Sequence, residues 1–460
     1  MGCSSIRVLV ASLWVIAACE SPPPYGEETN GPATGRTLRF LSLAIRDKPP
    51  SVQDTAAFLD GHVALDDLVA GWLVSDDHTL RMRRYFGDFF GITVGFTPLD
   101  AFQLERNEAG IYHHTLKPDC TPAEAVAKPA WWLEPGETIS ICPSSTSDAF
   151  KFPGDEPDEV IQCNSGISFV EDPRCGCGPY QLLCIPAGRQ LALEQDFNRE
   201  PIERGLYVYE HGLSWLDYLG GDFLVANRPL YLYYIQAQGQ LMTGELSPDA
   251  AIAALWTVPM TTWVRTEFPA GFERAGVVTS PGFLATFNTF RGRARILSLS
   301  LLCHDVDETL TTDDFSTFVS PELTEADVAH GSNPSCSYCH FGMDNQATAL
   351  LGYFQDGTAQ YDFTPIPSQR SHVFGKTGDG PRFLIQGYVE RAPNINECLA
   401  SKTWASLTGL SWDGALTDNQ RADFVQSAKQ GPKALIQRIL TSTVLRLGSG
   451  ASASEVRAEP

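Results

Sequence analysis

The chain lacks the sequence signatures of several common enzyme classes. None of the patterns GxSxG, HExxH or GxxxxGKS/T occurs in its 460 residues. These patterns mark the nucleophile of serine hydrolases, the zinc site of metalloproteases and the phosphate-binding loop of nucleotide-binding proteins. After the first twenty residues no run of eighteen apolar residues occurs, the length that a membrane-spanning helix needs. We therefore expect a soluble body whose chemistry depends on another motif.

Positive charge is also scarce. The chain has 33 Lys and Arg against 55 Asp and Glu, a formal net charge of −22 at pH 7. A surface this acidic repels nucleic acid, so we expect no nucleic-acid partner. It would attract a basic redox partner protein, although solubility alone also explains the charge.

The N-terminus has the form of an export signal. MGCSSIR carries one positive charge and is followed by eleven apolar or small residues from Val8 to Ala18. This run is too short for a membrane span and is typical of a secretory signal peptide. Ile16 to Cys19 resembles a bacterial lipobox, in which Cys19 becomes the lipidated first residue; the alternative is ordinary cleavage after Ala18. We expect a solvated tether over residues 19–37, because the stretch is rich in Pro and Gly.

The twelve cysteines predict disulfides by their number and spacing. Cys3 lies in the signal peptide and Cys19 at the anchor. The other ten are Cys120, Cys142, Cys163, Cys175, Cys177, Cys184, Cys303, Cys336, Cys339 and Cys398. If Cys336 and Cys339 are set aside, eight of these ten remain. Eight is an even number that suits four disulfides in an exported protein. Six of the eight crowd between residues 120 and 184, which predicts a loop-rich subregion stapled to itself or, alternatively, a metal site. The remaining two are a candidate long-range pair, Cys303 with Cys398.

SCSYCHFGMD, residues 335 to 344, is the motif that carries chemistry. Cys-x-x-Cys-His places two thiols within reach of the two vinyl groups of haem and an imidazole next to the iron. Cys336 and Cys339 would form the thioethers of haem c, and His340 would be the proximal iron ligand. The alternatives are two halves of disulfides, a zinc site without a visible second ligand pair, and a thioredoxin-like redox pair without the expected preceding strand.

The sixth ligand of the iron stays open. Met343 lies three residues beyond His340, so its sulfur would tend to lie on the proximal side, which favours packing over ligation. An unoccupied sixth position would permit ligand or peroxide chemistry. Other candidates are Met242, Met260, His330 and His372.

Hydrophobic spacing predicts a mainly α protein with multi-helix domains around a cytochrome c-like haem motif and an irregular cysteine-rich insert. One helical face is formed by Leu65, Leu68, Val69, Trp72 and Leu73. Ser280 and Pro281 have the order of a helix cap and a first helical residue, and Pro201 and Pro432 are predicted to open helices. Arginines ahead of a buried run are predicted to face solvent: Arg291, Arg293 and Arg295.

Composition predicts eight regions along the chain. These are a signal peptide (1–18), the anchored tether (19–37), an N-terminal helical region (38–92), the cysteine-rich insert with short strands (93–195), a central helical domain (196–303), the haem motif region (304–360), a C-terminal helical domain (361–447) and a disordered tail (448–460).

Several segments resemble one family. CSYCHFGMD resembles the CxxCHxxMD signature of planctomycete-type cytochrome c proteins, which also occur as myxobacterial lipoproteins built from domains of unknown function. Similar segments in this chain are LRFLSLAIRDKPPSVQDTAAFL (38–59), GGDFLVANRPLYLYY (220–234), RAGVVTSPGFLATFNTFRGRARILSLSLLC (274–303) and NECLASKTWASLTGL (396–410). The resemblance implies haem c held by Cys336, Cys339 and His340, places the family's methionine at Met343, and implies electron transfer in the periplasm or at the outer membrane.

The sequence therefore predicts a c-type haem-binding lipoprotein of the bacterial cell envelope that acts as a one-electron carrier. Its partners would be an unidentified redox protein and the membrane, through the lipid anchor. Two alternatives stay open: a single-haem redox enzyme with an open axial site, and a structural or binding lipoprotein.

Overall fold

The structure is a computed structural model that describes residues 35–93, 103–115, 117–146, 176–237, 246–269, 274–287, 289–304, 346–350, 371–374 and 376–442. Helices account for 59% of these residues. The prediction of a mainly α protein is confirmed. The cytochrome c-like part stays a prediction, because the haem motif falls outside the described residues.

Fifteen α-helices lie in the described ranges. In chain order they are α1 Gly35–Arg46, α2 Val52–Leu59, α3 Leu65–Leu73, α4 Asp76–Phe90, α5 Gln190–His211, α6 Trp215–Gly220, α7 Arg228–Ala237, α8 Pro248–Trp256, α9 Pro281–Thr286, α10 Phe290–Leu301, α11 Gly380–Arg391, α12 Ile395–Thr408, α13 Trp412–Ala415, α14 Asp418–Ala428 and α15 Pro432–Leu440. Short 3₁₀ turns are Pro143–Ser145, Pro179–Gln181, Gly276–Thr279 and Thr348–Leu350.

The strands form three small sheets within the described residues. They are β1 Gln103–Arg106, β2 Tyr112–His114, β3 Val126–Lys128, β4 Ile139–Ile141, β5 Ile185–Pro186, β6 Phe223–Ala226, β7 Val264–Glu267, β8 Ser371–Val373 and β9 Lys376–Gly378. The largest sheet has the order β3-β4-β2-β1-β5 and is mixed, since β1 pairs antiparallel with β2 but parallel with β5. The other two are the antiparallel pairs β6-β7 and β8-β9.

Helix starts follow the local sequence. The hydroxyls of Ser51, Ser75 and Ser280 each accept a hydrogen bond from a backbone N–H of the first helical turn, which satisfies one of the donors that have no partner inside the helix. The cap predicted at Ser280 is therefore confirmed. The helix predicted from residues 65 to 73 is α3, and it buries Val69 and Trp72 as its spacing requires.

Two hydrophobic cores hold the described parts together. The first core combines helices from distant parts of the chain, with Leu41 of α1, Phe86 of α4, Tyr218 of α6, Leu384 of α11 and Ile436 of α15 all buried in it. The second core packs the large sheet against α7 and α8, and α5 contributes side chains to both. The N-terminal, central and C-terminal helices thus share one interior.

The prediction that a helix begins at Pro201 is wrong. α5 runs from Gln190 to His211 with Pro201 inside it. Proline has no backbone N–H, so the carbonyl oxygen of Phe197, four residues earlier, loses its helical donor. The backbone of Gly282 on α9 packs so closely on that oxygen that a β-carbon would overlap it. The lack of a side chain at residue 282 therefore lets α9 approach the carbonyl that the proline leaves without a helical donor.

Three disulfides are present among the described cysteines. Cys120 pairs with Cys142 and Cys177 with Cys184, so the prediction of a cysteine-rich region stapled to itself is confirmed. The predicted long-range pair is also confirmed, because Cys303 bonds Cys398 with their Cα atoms 5.5 Å apart. No helix in the described ranges is long and apolar enough to cross a bilayer.

Candidate functional site

The predicted haem ligands lie outside the described residues. Cys336, Cys339, His340 and Met343 fall between His304, where one described range ends, and Gln346, where the next begins. The proposed lipid attachment at Cys19 also lies outside. The two flanks of the motif lie within the described residues.

The downstream flank is held by a buried hydrogen-bonded triad. Gln346 is only 1% exposed, and its Oε1 accepts hydrogen bonds from the Tyr388 hydroxyl of α11 and from Ser298 Oγ of α10, the latter at 3.3 Å. The two hydroxyls also lie 3.1 Å apart. Burial raises the pKa of Tyr388, so the hydroxyl keeps its proton and donates. Because a buried amide without partners is costly, this triad fixes the chain three residues after Met343.

Arg293 holds the same flank at its other end. Its side chain is buried, which corrects the prediction that it faces solvent. Nε donates to the Phe287 carbonyl at 2.8 Å, and the two terminal nitrogens donate to the carbonyls of Leu284, at 3.1 Å, and Leu350, at 3.5 Å. Burial lowers the pKa of Arg293 to about 10, so it remains a cation at neutral pH. One guanidinium thus satisfies carbonyls at the end of α9 and at the end of the 346–350 segment.

The upstream flank is fixed at the end of α10. Lys402 Nζ donates to the Leu299 carbonyl at 2.6 Å, and Asn394 Nδ2 donates to the Leu302 carbonyl at 3.3 Å. Asn394 stands at the start of α12 and Lys402 lies in its middle. The α12 region thus supplies donors for carbonyls that have no partner inside α10. The Cys303–Cys398 disulfide then joins the chain two residues after α10 covalently to α12. Desolvation lowers the pKa of Lys402.

Both flanks are consequently attached to one group of helices, α10, α11 and α12. The sequence did not indicate this, because the triad is assembled from a serine, a glutamine and a tyrosine more than forty residues apart. The only visible signal was the long-range cysteine pair.

Of the alternative sixth ligands, Met260 is half-buried against the second core, and Met242 and His330 lie outside the described residues.

A buried acid forms a second polar cluster that the sequence did not predict. Glu200 of α5 accepts a hydrogen bond from the Tyr234 hydroxyl at 2.7 Å, and both side chains are buried. Burial raises the pKa of Glu200 to about 7, although the nearby cations Arg204 and Arg274 oppose that rise. Its second carboxylate oxygen has no hydrogen-bond partner in the part of the chain that the structure describes.

The metal-site alternative for the cysteine-rich region has no support among the described residues. One cluster there has ligand-type atoms close together, Asp119, Cys120 and Cys142. Its two sulfurs are bonded to each other, so neither is the thiolate that binds a metal. Asp119 instead accepts hydrogen bonds from Asn107 and from the Cys120 backbone, which lower its pKa.

Comparison of the chain with protein-family models, with curated proteins and with solved structures finds no match. The resemblance to the haem c lipoproteins therefore stays a prediction from the quoted segments.

Proposed function

We propose that the protein is a lipid-anchored protein of the bacterial cell envelope that carries one haem c and transfers single electrons. Cys336 and Cys339 would hold the haem through thioethers, and His340 would bind the iron on the proximal side. When bound, haem supplies reversible one-electron oxidation and reduction. The mature chain would begin at the lipidated Cys19.

The pairing of the other cysteines is the observation that supports this proposal. All six described cysteines, from Cys120 to Cys398, are bonded to one another in three disulfides. The thiols of Cys336 and Cys339 therefore have none of these six as partners, which weakens the interpretation of the motif as two disulfide halves. Three disulfides also favour an oxidising compartment, which is the compartment in which bacterial c-type haem is attached.

The described flanks would give the haem segment fixed ends. His340 precedes Gln346 by six residues, so their Cα atoms lie within about 22 Å of each other whatever the conformation between them. Gln346 itself is buried and hydrogen-bonded to α10 and α11. The role of this chain toward the iron would be to set ligand position and solvent access, which are two of the properties by which a protein tunes a redox potential.

Surface charge supports a cationic electron-transfer partner. The net charge of −22 would speed association with a basic redox protein and make that association sensitive to salt. We expect the electron-transfer rate with a cationic partner such as a basic cytochrome to fall as salt is raised.

Haem attachment can be tested on protein matured in a bacterial host that makes c-type cytochromes. We expect the exported chain to show a c-type pyridine haemochrome spectrum, and the Cys336→Ala/Cys339→Ala variant to be colourless. A matched control is Cys177→Ser/Cys184→Ser, which also removes two cysteines but should retain the haem. Equal loss of haem from both variants would contradict the assignment of the motif.

The same samples distinguish a carrier from an enzyme. A carrier is expected to show a low-spin spectrum that carbon monoxide and azide leave unchanged, because both axial positions are filled. Rapid binding of either ligand would instead favour the alternative of a single-haem enzyme with an open site.

A further inference from the structure

Exposed apolar side chains are concentrated in the N-terminal helices. Among the described residues six large hydrophobic side chains are exposed, and five of them lie between residues 43 and 80. Single exposed hydrophobic residues are ordinary, but a concentration of them marks an interaction surface. We call four of them the apolar end: Leu43, Val52, Val74 and Leu80.

The two valines stand at neighbouring loops. Val52 is 82% exposed and Val74 is 86% exposed. The loop before α2 is joined to the start of α4 by the Lys48–Asp77 ion pair. At the first turn of α2, Asp54 accepts a hydrogen bond from the Trp72 indole, near the end of α3. Both valines therefore lie at the same end of the four-helix unit.

The two leucines adjoin this end from the sides of α1 and α4. An ion pair joins Asp47 and Arg84. Arg84 lies one turn after Leu80 on the same face of α4. Asp47 follows the end of α1 with a positive φ, and its backbone N–H donates to the Leu43 carbonyl at 2.8 Å, so Leu43 adjoins the other member of the pair. The four side chains thus surround one set of polar contacts between α1, α2, α3 and α4.

Charge is balanced in this part of the protein. Residues 35–93 contain seven basic and eight acidic residues, a net charge of −1, whereas the rest of the chain carries −21. At the apolar end itself the carboxylates of Asp47, Asp54 and Asp77 are each close to a cation. A negatively charged bilayer would repel this nearly neutral part less than it repels the acidic chain as a whole.

We propose that the apolar end is a membrane-contact surface that rests on the bilayer to which the protein is anchored. The inference rests on the proposed lipid attachment at Cys19 for its geometry. Gly35 lies sixteen positions after Cys19, so the two can be at most about 55 Å apart, and a flexible chain of this length would have an end-to-end distance of about 22 Å. α1 is about 18 Å long, so an anchor in the membrane allows the apolar end to reach the same surface.

A lipid surface fits the apolar end better than a protein partner does. A stable protein interface buries about 800 Å² on each side, which four partly exposed aliphatic side chains do not supply. Interfacial binding to a bilayer needs only apolar groups that enter its outer ~5–10 Å. Contact would hold the folded body in one orientation relative to the membrane, which would also orient the proposed haem segment.

The test measures vesicle binding by the mature chain without its lipid, exported behind a leader that ordinary signal peptidase removes. The probe is sedimentation with vesicles of phosphatidylethanolamine and phosphatidylglycerol. We expect Val52→Ser/Val74→Ser to lower the partition coefficient about tenfold. Leu80→Ser should lower it about threefold, whereas Leu191→Ser should leave it unchanged, although Leu80 and Leu191 are both 60% exposed.

Three outcomes would overturn the membrane-contact proposal. The first is no vesicle binding by the unaltered chain, and the second is equal effects of Leu80→Ser and Leu191→Ser. The third is a dimer in solution that Val52→Ser/Val74→Ser dissociates, which would assign the surface to a second copy. Circular dichroism of each variant verifies the fold. Haem content and lipidation are measured separately, so failure of the proposed function is distinguishable from failure of this inference.

Discussion

The buried tyrosine hydroxyls of the first core differ in what they contribute to the free energy of unfolding. Tyr388 donates to Gln346 beside the proposed haem segment, whereas the hydroxyl of Tyr218 has no hydrogen-bond partner in the described part of the chain. Tyr388→Phe should lower the free energy of unfolding by about 1–2 kcal/mol, because it leaves a buried amide with one donor fewer. Tyr218→Phe should be neutral or stabilising. Urea denaturation of both variants measures the difference, and equal effects would contradict the triad.

Glu200 makes stability depend on pH. Burial raises its pKa from an ordinary 4.5 to about 7. Below pH 4.5 the folded and unfolded chains both hold the proton. Between pH 4.5 and about 7 only the folded chain holds it, so stability falls as pH rises through this window and levels off above it. The ionised form is the one that the fold disfavours.

Replacing Glu200 by Gln should remove this dependence. Relative to the unaltered protein, Glu200→Gln should gain on the order of 3 kcal/mol in unfolding free energy between pH 4.5 and pH 8. A matched control is Glu210→Gln, on the same helix but exposed. Chemical denaturation at several pH values measures both. Parallel profiles for Glu200→Gln and the unaltered protein would show that the carboxyl titrates normally.

Individual buried polar residues were the least predictable part of this chain. Arg293 and Arg295 lie two residues apart in the same helix, yet Arg293 is buried and Arg295 is exposed. Only the hydrogen bonds of Arg293 to carbonyls of other segments explain its burial. Glu200 likewise precedes a proline, which suggests a helix start instead of a helix interior. A partner contributed by a distant element leaves no local pattern in the sequence.

Two helical glycines should respond in opposite ways to an added side chain. Gly205 of α5 faces the Phe86 ring of α4 so closely that a β-carbon would overlap the ring, whereas Gly71 of α3 has open space around it. Gly205→Ala should therefore destabilise the protein by about 1–3 kcal/mol through overpacking. Gly71→Ala should stabilise it by about 0.5–1 kcal/mol through helix propensity. Thermal unfolding compares the two, and a stabilising Gly205→Ala would contradict the packing of α4 on α5.

Elements with a local signal were predicted well. α3 was visible from its apolar face, and α9 and α15 from a proline at the first helical position. α5 was predicted only in its second half, because the rule that proline opens a helix competes with a tertiary contact at Gly282. The strands of the insert include two long-range pairings, β1 with β5 and β2 with β4, so the strand order could not be read from the chain.

The disulfides act at the scale of the whole molecule. Cys303 and Cys398 are 95 residues apart, and Cys177 and Cys184 are seven apart. If chain entropy dominates, Cys303→Ser/Cys398→Ser should cost about 5 kcal/mol and Cys177→Ser/Cys184→Ser about 2.5 kcal/mol. Guanidinium denaturation of the two double variants measures both costs. A smaller cost for the long-range pair would show that it does not restrain the unfolded chain.

The long-range disulfide and the Gln346 triad enclose the stretch that contains the motif. The disulfide attaches the chain at residue 303 to the helices of the first core, and the triad attaches it to the same helices at residue 346. The sequence predicted the first of these restraints through cysteine arithmetic. It could not predict the second, whose three members carry no distinctive spacing.

The most direct test of the central claim is the haem content of exported protein. Intact-mass measurement, combined with a pyridine haemochrome spectrum, should show one haem bound covalently to each chain, with Cys336 and Cys339 blocked to thiol reagents even after reduction of the disulfides. A colourless protein whose mass fits the polypeptide alone, and whose two motif cysteines react once disulfides are reduced, would contradict the account.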